Sequence, residues 1–95
     1  MIPKKVNICG VPFDVSLVKN NFDFESHWGQ IDYDKGQIII NCDLPESLQK
    51  QVLCHEIVHG ILTMNHYDEE SHNEQFVQAL ALAINQAFSV IGIED

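Results

Sequence analysis

The fold of this chain is decided by residues 43–64, which read DLPESLQKQVLCHEIVHGILTM. Asp43 as a capping acid, Pro45 in the first turn and Glu46 three residues after the Asp predict the start of a helix, and Asn65 predicts its end. Apolar residues recur at spacings of three and four on two sides of this helix, so we expect it to lie at the centre of the fold. One side holds Leu48, Val52, His55, His59 and Leu62, and the other holds Leu53, Ile57 and Ile61.

Inside this helix lies the pattern H-E-x-x-H, formed by His55-Glu56-Ile57-Val58-His59. At about 100° per residue the two histidines differ by about 40° and one turn of rise, so both imidazoles can reach one ion. Glu56 points in a neighbouring direction, where its carboxylate could act as a base toward a water molecule at the metal. The pattern predicts His55 and His59 as metal ligands, with zinc the metal that the motif favours, and Glu56 as the general base.

A catalytic zinc site needs a third protein ligand and an open position for water. The metzincin pattern is excluded, because Leu62 and Asn65 stand where it requires a glycine and a third histidine. We expect the acidic residues between the two predicted helices to be mostly solvated. The downstream candidates for the third ligand are His66, Asp68, Glu69, Glu70, His72 and Glu74.

A second helix is predicted from the capping pattern Ser71-x-x-Glu74 to Gly92. Glu74 shares one face of this helix with four apolar residues, so it should project toward the core. An inward carboxylate needs a partner, and we therefore favour Glu74 as the third ligand. The alternative is that Glu74 only closes a capping box with Ser71. The apolar members of the face are Val77, Ala81, Ile84 and Phe88.

Before residue 43 the chain alternates apolar and polar residues with the period of two that is typical of β-strands. Residues 34–36 predict a turn in which Gly36 supplies a positive φ, with the flanking strands paired as a hairpin. Strands followed by helices predict an α+β fold. The predicted strands are Lys5–Cys9, Phe13–Leu17, Phe22–Glu25, His27–Tyr33 and Gln37–Asn41.

Length and composition limit what the chain can be. Its 95 residues fit one domain, residues 1–95, with a single core. A net charge of −9 and the absence of arginine argue against nucleic acid and membrane surfaces as partners. Three cysteines without a C-x-x-C pair favour a reducing cytoplasm, and no segment is long and apolar enough for a signal core or a membrane span. Cys54, beside the motif, is expected to be a small core residue.

The residue that would stabilise a developing oxyanion is left open by the sequence. Several side chains near the motif could donate the hydrogen bond, although each is more often an ordinary surface or core residue. These candidates are Tyr33, His66, Tyr67 and His72.

Four segments resemble the small ImmA/IrrE-type zinc metallopeptidases, which are common in phages and mobile elements: Trp28–Tyr33, Gln37–Asn41, Leu44–Pro45 and Val52–His59. H-E-x-x-H is shared with other zincins, whereas the isoleucine strand before it and the glutamate helix after it are more selective. The resemblance implies a small antiparallel sheet packed on the active-site helix and a third zinc ligand from a glutamate that opens a helix, here Glu74. It also implies that a peptide substrate lies extended along Gln37–Asn41.

Together these features predict a minimal gluzincin-like peptidase in the cytoplasm, with zinc on His55, His59 and Glu74 and with Glu56 activating the water that hydrolyses a peptide or protein substrate. Two other classes stay open. The chain could be a catalytically silent, zinc-stabilised binding module, such as a phage or mobile-element adaptor or inhibitor, because structural metal is needed for stability most often in domains this small. It could also be a helical interaction protein with two packed histidines. Glu56 favours the enzyme, since a structural site has no use for a base.

Overall fold

Within the described residues, four strands precede three helices. The computed structural model describes residues 2–19 and 28–91, with side chains through residue 87. This order confirms the predicted α+β fold. The predicted strand Phe22–Glu25, His27 at the predicted start of the hairpin and the predicted helix end at Gly92 lie outside the described residues. The elements are β1 (Lys5–Ile8), β2 (Val11–Val18), β3 (Gly29–Asp32), β4 (Gln37–Asn41), α1 (Glu46–Met64), α2 (Asp68–Ser71) and α3 (Glu74–Ile91).

The sheet consists of two antiparallel hairpins side by side, in the order β1-β2-β4-β3. Cys9 and Gly10 turn the first hairpin with φ of +52° and +84°, and Gly36 has the predicted positive φ, +62°, in the second. The hairpins meet through β2 and β4, which run parallel with Val15 opposite Ile38. The sheet is therefore mixed, not antiparallel throughout as expected. Alternation determines which face of a strand is buried, but not which strands of two hairpins become neighbours.

Helix α1 lies between the sheet and α3, which confirms its predicted central position. On the side away from the sheet, Val58 packs with Val77 and Ala81 of α3, and the partly buried Cys54 joins them as the expected small core residue. No helix within the described ranges is long and apolar enough to cross a membrane. The buried residues between the sheet and α1 are Ile2, Ile8, Phe13, Val15, Ile38, Ile40, Val52 and Leu53.

The ends of α1 fall where the sequence predicts, with Asn65 as the C-cap. The start differs in one detail, because Pro45 is the N-cap residue and no side chain caps the helix. Asp43 instead donates its backbone N–H to Asn41 Oδ1 at 2.9 Å. Asp43 therefore belongs to the turn before the helix, and the predicted cap does not form.

Gly29 allows β3 to lie close to α1. A Cβ at this position would come within 2.7 Å of Val52 Cγ1 and 2.9 Å of the Ile39 carbonyl oxygen. Because the carbonyl belongs to the backbone of β4 and cannot rotate away, we expect Gly29→Ala to lower the free energy of unfolding by about 1–3 kcal/mol. Urea unfolding measures this change. Adding Val52→Ala should not restore stability, and a Gly29→Ala protein as stable as wild type would contradict the close approach.

Candidate metal centre

Helices α1 and α3 bring His55, His59 and Glu74 together. One ligand atom from each lies within 4.8 Å of the others. Within the described part of the chain, these residues form the single group of three potential metal ligands. The Glu74 carboxylate spans the two imidazoles, with Oε1 3.0 Å from His55 Nε2 and Oε2 3.3 Å from His59 Nε2. The two side chains of α1 are largely buried, whereas the Glu74 side chain is 69% exposed. These three residues could therefore hold a metal ion at the surface end of the α1–α3 contact.

The chemistry of the three donors fits a divalent metal. Two imidazole nitrogens and one carboxylate are a ligand set that zinc accepts, leaving one position open, although other divalent ions accept it as well. A ligating imidazole must be neutral, and burial lowers the pKa of His59 against the opposing effect of the Glu74 carboxylate. His59 is therefore held in the neutral form that binds metal near neutral pH.

The position of Glu74 follows from how α3 begins. Asn73 is the capping residue, since its Oδ1 accepts a hydrogen bond from the Phe76 N–H at 3.1 Å. Glu74 is thus the first residue of the helix and not the third. Ser71 is buried, and its hydroxyl lies 3.2 Å from His59 Nδ1. The predicted capping box between Ser71 and Glu74 does not form, because the Ser71 hydroxyl is used by the histidine.

Each imidazole is also held through its second nitrogen. His55 Nδ1 lies 2.7 Å from Gln78 Oε1, and His59 Nδ1 contacts the Ser71 hydroxyl. Such contacts orient metal-binding histidines and select the nitrogen that faces the ion. Neither Gln78 nor Ser71 is predicted from the sequence as a partner of these histidines. Gln78 could have been found, because it lies four residues after Glu74 on the same helix face, whereas the local pattern around Ser71 indicated a cap.

Glu56 lies beside this group and is 7% exposed. Burial raises its pKa to about 7, with the charge of His55 lowering the pKa and that of Glu74 raising it further. A carboxyl group with a pKa near neutrality can both accept and release a proton at neutral pH. A cation on the neighbouring ligands would favour the ionised form.

A groove of about 560 Å³ runs over the three potential ligands and Glu56. This volume is in the range of sites that bind small molecules or short peptide segments. Two of the proposed oxyanion donors, Tyr33 and His72, line the groove, whereas His66 and Tyr67 do not. The lining residues are Gly29, Gln30, Ile31, Tyr33, His55, Glu56, His59, Thr63, Ser71, His72 and Glu74.

The two oxyanion candidates that line the groove, Tyr33 and His72, differ in the hydrogen bonds that they can make. Burial raises the pKa of Tyr33 against the lowering effect of Thr63, which keeps the Tyr33 hydroxyl protonated. His72 donates from Nδ1 to the Asp68 carbonyl oxygen at 2.8 Å, so in the neutral ring Nε2 carries no hydrogen and can only accept a hydrogen bond. The remaining acidic candidates for the third ligand, including Asp68, are exposed on α2 and stay outside the three-residue group.

The strand beside the groove is β3 and not Gln37–Asn41. Gln37–Asn41 forms β4, which pairs with β2 on one side and β3 on the other. Its backbone groups are thus used within the sheet, and the expectation that it binds a peptide is wrong. Strand β3 is at the edge of the described sheet, and three of its residues, Gly29, Gln30 and Ile31, line the groove.

The role of Glu74 can be tested by one substitution. Glu74→Gln should leave the melting temperature of the metal-free protein nearly unchanged, because Asn73 supplies the cap and the Glu74 side chain is exposed. Zinc affinity should fall by at least about tenfold, since a neutral amide replaces an anionic ligand. Competition with a chromophoric chelator measures this affinity. Glu70→Gln, on the exposed face of α2, is the matched control, and equal affinities in the two variants would remove Glu74 from the site.

In comparisons with known proteins, no family model, curated protein or solved structure matches this chain. The resemblance to ImmA/IrrE-type metallopeptidases therefore stays a prediction from the motifs.

Proposed function

We propose that this protein is a zinc-dependent peptidase whose metal is held by His55, His59 and Glu74 and whose general base is Glu56. The observation that carries the proposal is the convergence of three ligand atoms within 4.8 Å of one another. A buried carboxyl group with a pKa raised to about 7 lies beside them. All four side chains open into the same groove.

The residues of the chain have separate tasks in this reaction. Zinc, when bound, supplies a Lewis acid that polarises the scissile carbonyl and lowers the pKa of a water molecule. Glu56 accepts the proton from this water at its carboxylate and then donates it to the leaving amine. Among the oxyanion candidates that line the groove, Tyr33 can donate a hydrogen bond from its hydroxyl to the oxygen on which negative charge develops, whereas His72 could donate from Nε2 only if its ring were doubly protonated.

Strand β3 supports a peptide as the substrate. A strand that lies beside a binding groove is a common element in the recognition of extended peptides. Gly29, Gln30 and Ile31 form the wall of the groove next to the potential ligands. A peptide lying extended along β3 would therefore pass over the metal centre.

Glu56 favours a peptidase over a silent binding module. Burying a carboxyl group costs free energy unless its environment compensates for the loss of water, and here burial is the main cause of the raised pKa. A metal site that only stabilises the fold gains nothing from such a group, whereas hydrolysis requires a base next to the water.

The proposal is tested with a peptide pool of broad sequence, because the sequence names no substrate. We expect the zinc-loaded protein to generate new peptide termini, detected by mass spectrometry, and expect a chelator to abolish them. Readdition of zinc should restore cleavage. If the zinc-loaded protein generates no new termini in the pool or in unfolded proteins, the binding module replaces the peptidase as the better account.

A further inference from the structure

We propose that Gln78 is a positioning residue that selects the nitrogen through which His55 faces the metal. This inference rests on the proposed metal centre and adds a residue that neither the motif nor the resemblance contains. Gln78 Oε1 lies 2.7 Å from His55 Nδ1, which is the shortest of the contacts made by the two imidazoles. The other nitrogen of the same ring, Nε2, points to Glu74.

The placement of Gln78 follows from helical geometry. Glu74 and Gln78 are four residues apart on α3, so their side chains lie one turn apart on the same face. Both reach the same imidazole from this face, Glu74 at Nε2 and Gln78 at Nδ1. Helix α3 therefore supplies a potential ligand and the group that orients its neighbour, and a shift of α3 along α1 would move both together.

The amide of glutamine suits this position for a chemical reason. When its carbonyl oxygen accepts the Nδ1–H of His55, Nε2 keeps the lone pair that a metal needs. When Nε2 instead carries the proton and donates it to Glu74, rotation of the amide lets Gln78 donate to Nδ1. Glutamine can therefore satisfy His55 both with and without metal. A carboxylate at position 78 could only accept, and an aliphatic side chain could do neither.

Replacing Gln78 should disturb the fold less than replacing Ser71, which is the corresponding partner of His59. Ser71 is buried, and its hydroxyl also lies 2.8 Å from Thr63 Oγ1, so its removal affects the packing between α1 and α2. Gln78 is only half-buried, at the edge of the α1–α3 contact. Gln75, one turn earlier and exposed on the same helix, offers a matched control.

The test measures zinc affinity for wild type, Gln78→Ala, Gln78→Glu and Gln75→Ala by chelator competition. We expect Gln78→Ala to bind zinc about 10- to 100-fold more weakly, as is usual when the partner of a ligating histidine is removed. Gln78→Glu should restore the affinity, because its carboxylate accepts the Nδ1–H, and Gln75→Ala should match wild type. Long-range ¹H–¹⁵N spectra of the imidazoles should show His55 of the zinc-loaded wild type protonated at Nδ1.

The outcomes separate the two proposals. If wild type binds no zinc, the metal centre is overturned, and the role of Gln78 with it. If wild type binds zinc but Gln78→Ala binds it equally well, or if His55 is protonated at Nε2 in the zinc-loaded protein, only the positioning role is overturned. Circular dichroism of the metal-free variants shows whether a loss of zinc affinity is caused by unfolding. If Gln78→Ala is unfolded, Gln78→Glu tests the positioning role instead. A folded Gln78→Glu protein that binds zinc more weakly than wild type would reject that role.

Discussion

Replacing Glu56 with glutamine is expected to lower the rate of peptide hydrolysis by about 10²- to 10⁴-fold while the protein keeps its zinc. The amide has nearly the same shape as the carboxyl group but cannot accept the proton of the attacking water. Glu56 makes none of the contacts between ligand atoms in the three-residue group, so zinc content should be unchanged. The rate of appearance of new termini in the peptide pool, with zinc measured on the same samples, gives both values.

The matched control for this variant is Glu46→Gln, which makes the same chemical change in the exposed first turn of α1. It should cleave at the wild-type rate. Equal rates for wild type and Glu56→Gln would exclude Glu56 as the base, whatever the metal content.

The Glu56→Gln variant also has a readout that needs no substrate. In the metal-free protein, burial raises the pKa of Glu56 from 4.5 to about 7, so the folded state holds this proton more tightly than the unfolded state. Stability should therefore fall as the pH rises from about 4.5 to about 7, by up to about 3 kcal/mol. Glutamine does not titrate. We expect metal-free Glu56→Gln to exceed wild type in stability above pH 7 and the difference to vanish in acid.

The second large effect is the loss of zinc on replacing either histidine of the motif. His55→Ala or His59→Ala removes one of three potential ligands and should weaken zinc binding by more than about 100-fold. This loss exceeds the one expected when only the hydrogen-bond partner of a ligating histidine is removed. Wild type should hold about one zinc per chain. His66→Asn is the control, because His66 is exposed, has a φ of +66° that asparagine tolerates, and does not line the groove.

Thermal unfolding gives an independent check of the same prediction. Zinc that binds only the folded chain should stabilise wild type by about 2.7 kcal/mol when its free concentration is 100 times the dissociation constant. Neither histidine variant should gain stability at that concentration. Equal zinc-dependent shifts of Tm in wild type and His59→Ala would place the bound ion elsewhere in the chain.

Helix α1 could be predicted from the sequence because its signals are local. The two histidines of H-E-x-x-H lie one turn apart in any straight helix, and Asn65 ends α1 as predicted. The apolar face of α3 predicts that Glu74 projects toward the core; Val77 and Ala81 on that face are buried, but Glu74 itself is 69% exposed, because it is the first residue of the helix and reaches the histidines from the surface. Periodicity therefore gave both the helix that carries the histidines and the face of α3 that meets it.

The features that could not be predicted depend on contacts between distant segments. Ser71 and Glu74 have the sequence pattern of a capping box, and nothing local distinguishes them from one that forms. The Ser71 hydroxyl contacts His59 only after α2 folds back on α1, so this contact could not be predicted. The parallel pairing of β2 with β4 likewise joins two hairpins whose own patterns are complete. That pairing places β3, and not the isoleucine strand β4, at the edge of the described sheet beside the groove.

A crystal structure of the protein soaked with zinc, with anomalous differences collected on both sides of the zinc absorption edge, tests the metal centre most directly. We expect one anomalous peak bonded to His55 Nε2, His59 Nε2 and the Glu74 carboxylate, with the fourth position open to the groove beside Glu56. A peak at other residues, or a fourth position filled by a protein side chain, would contradict the proposed site.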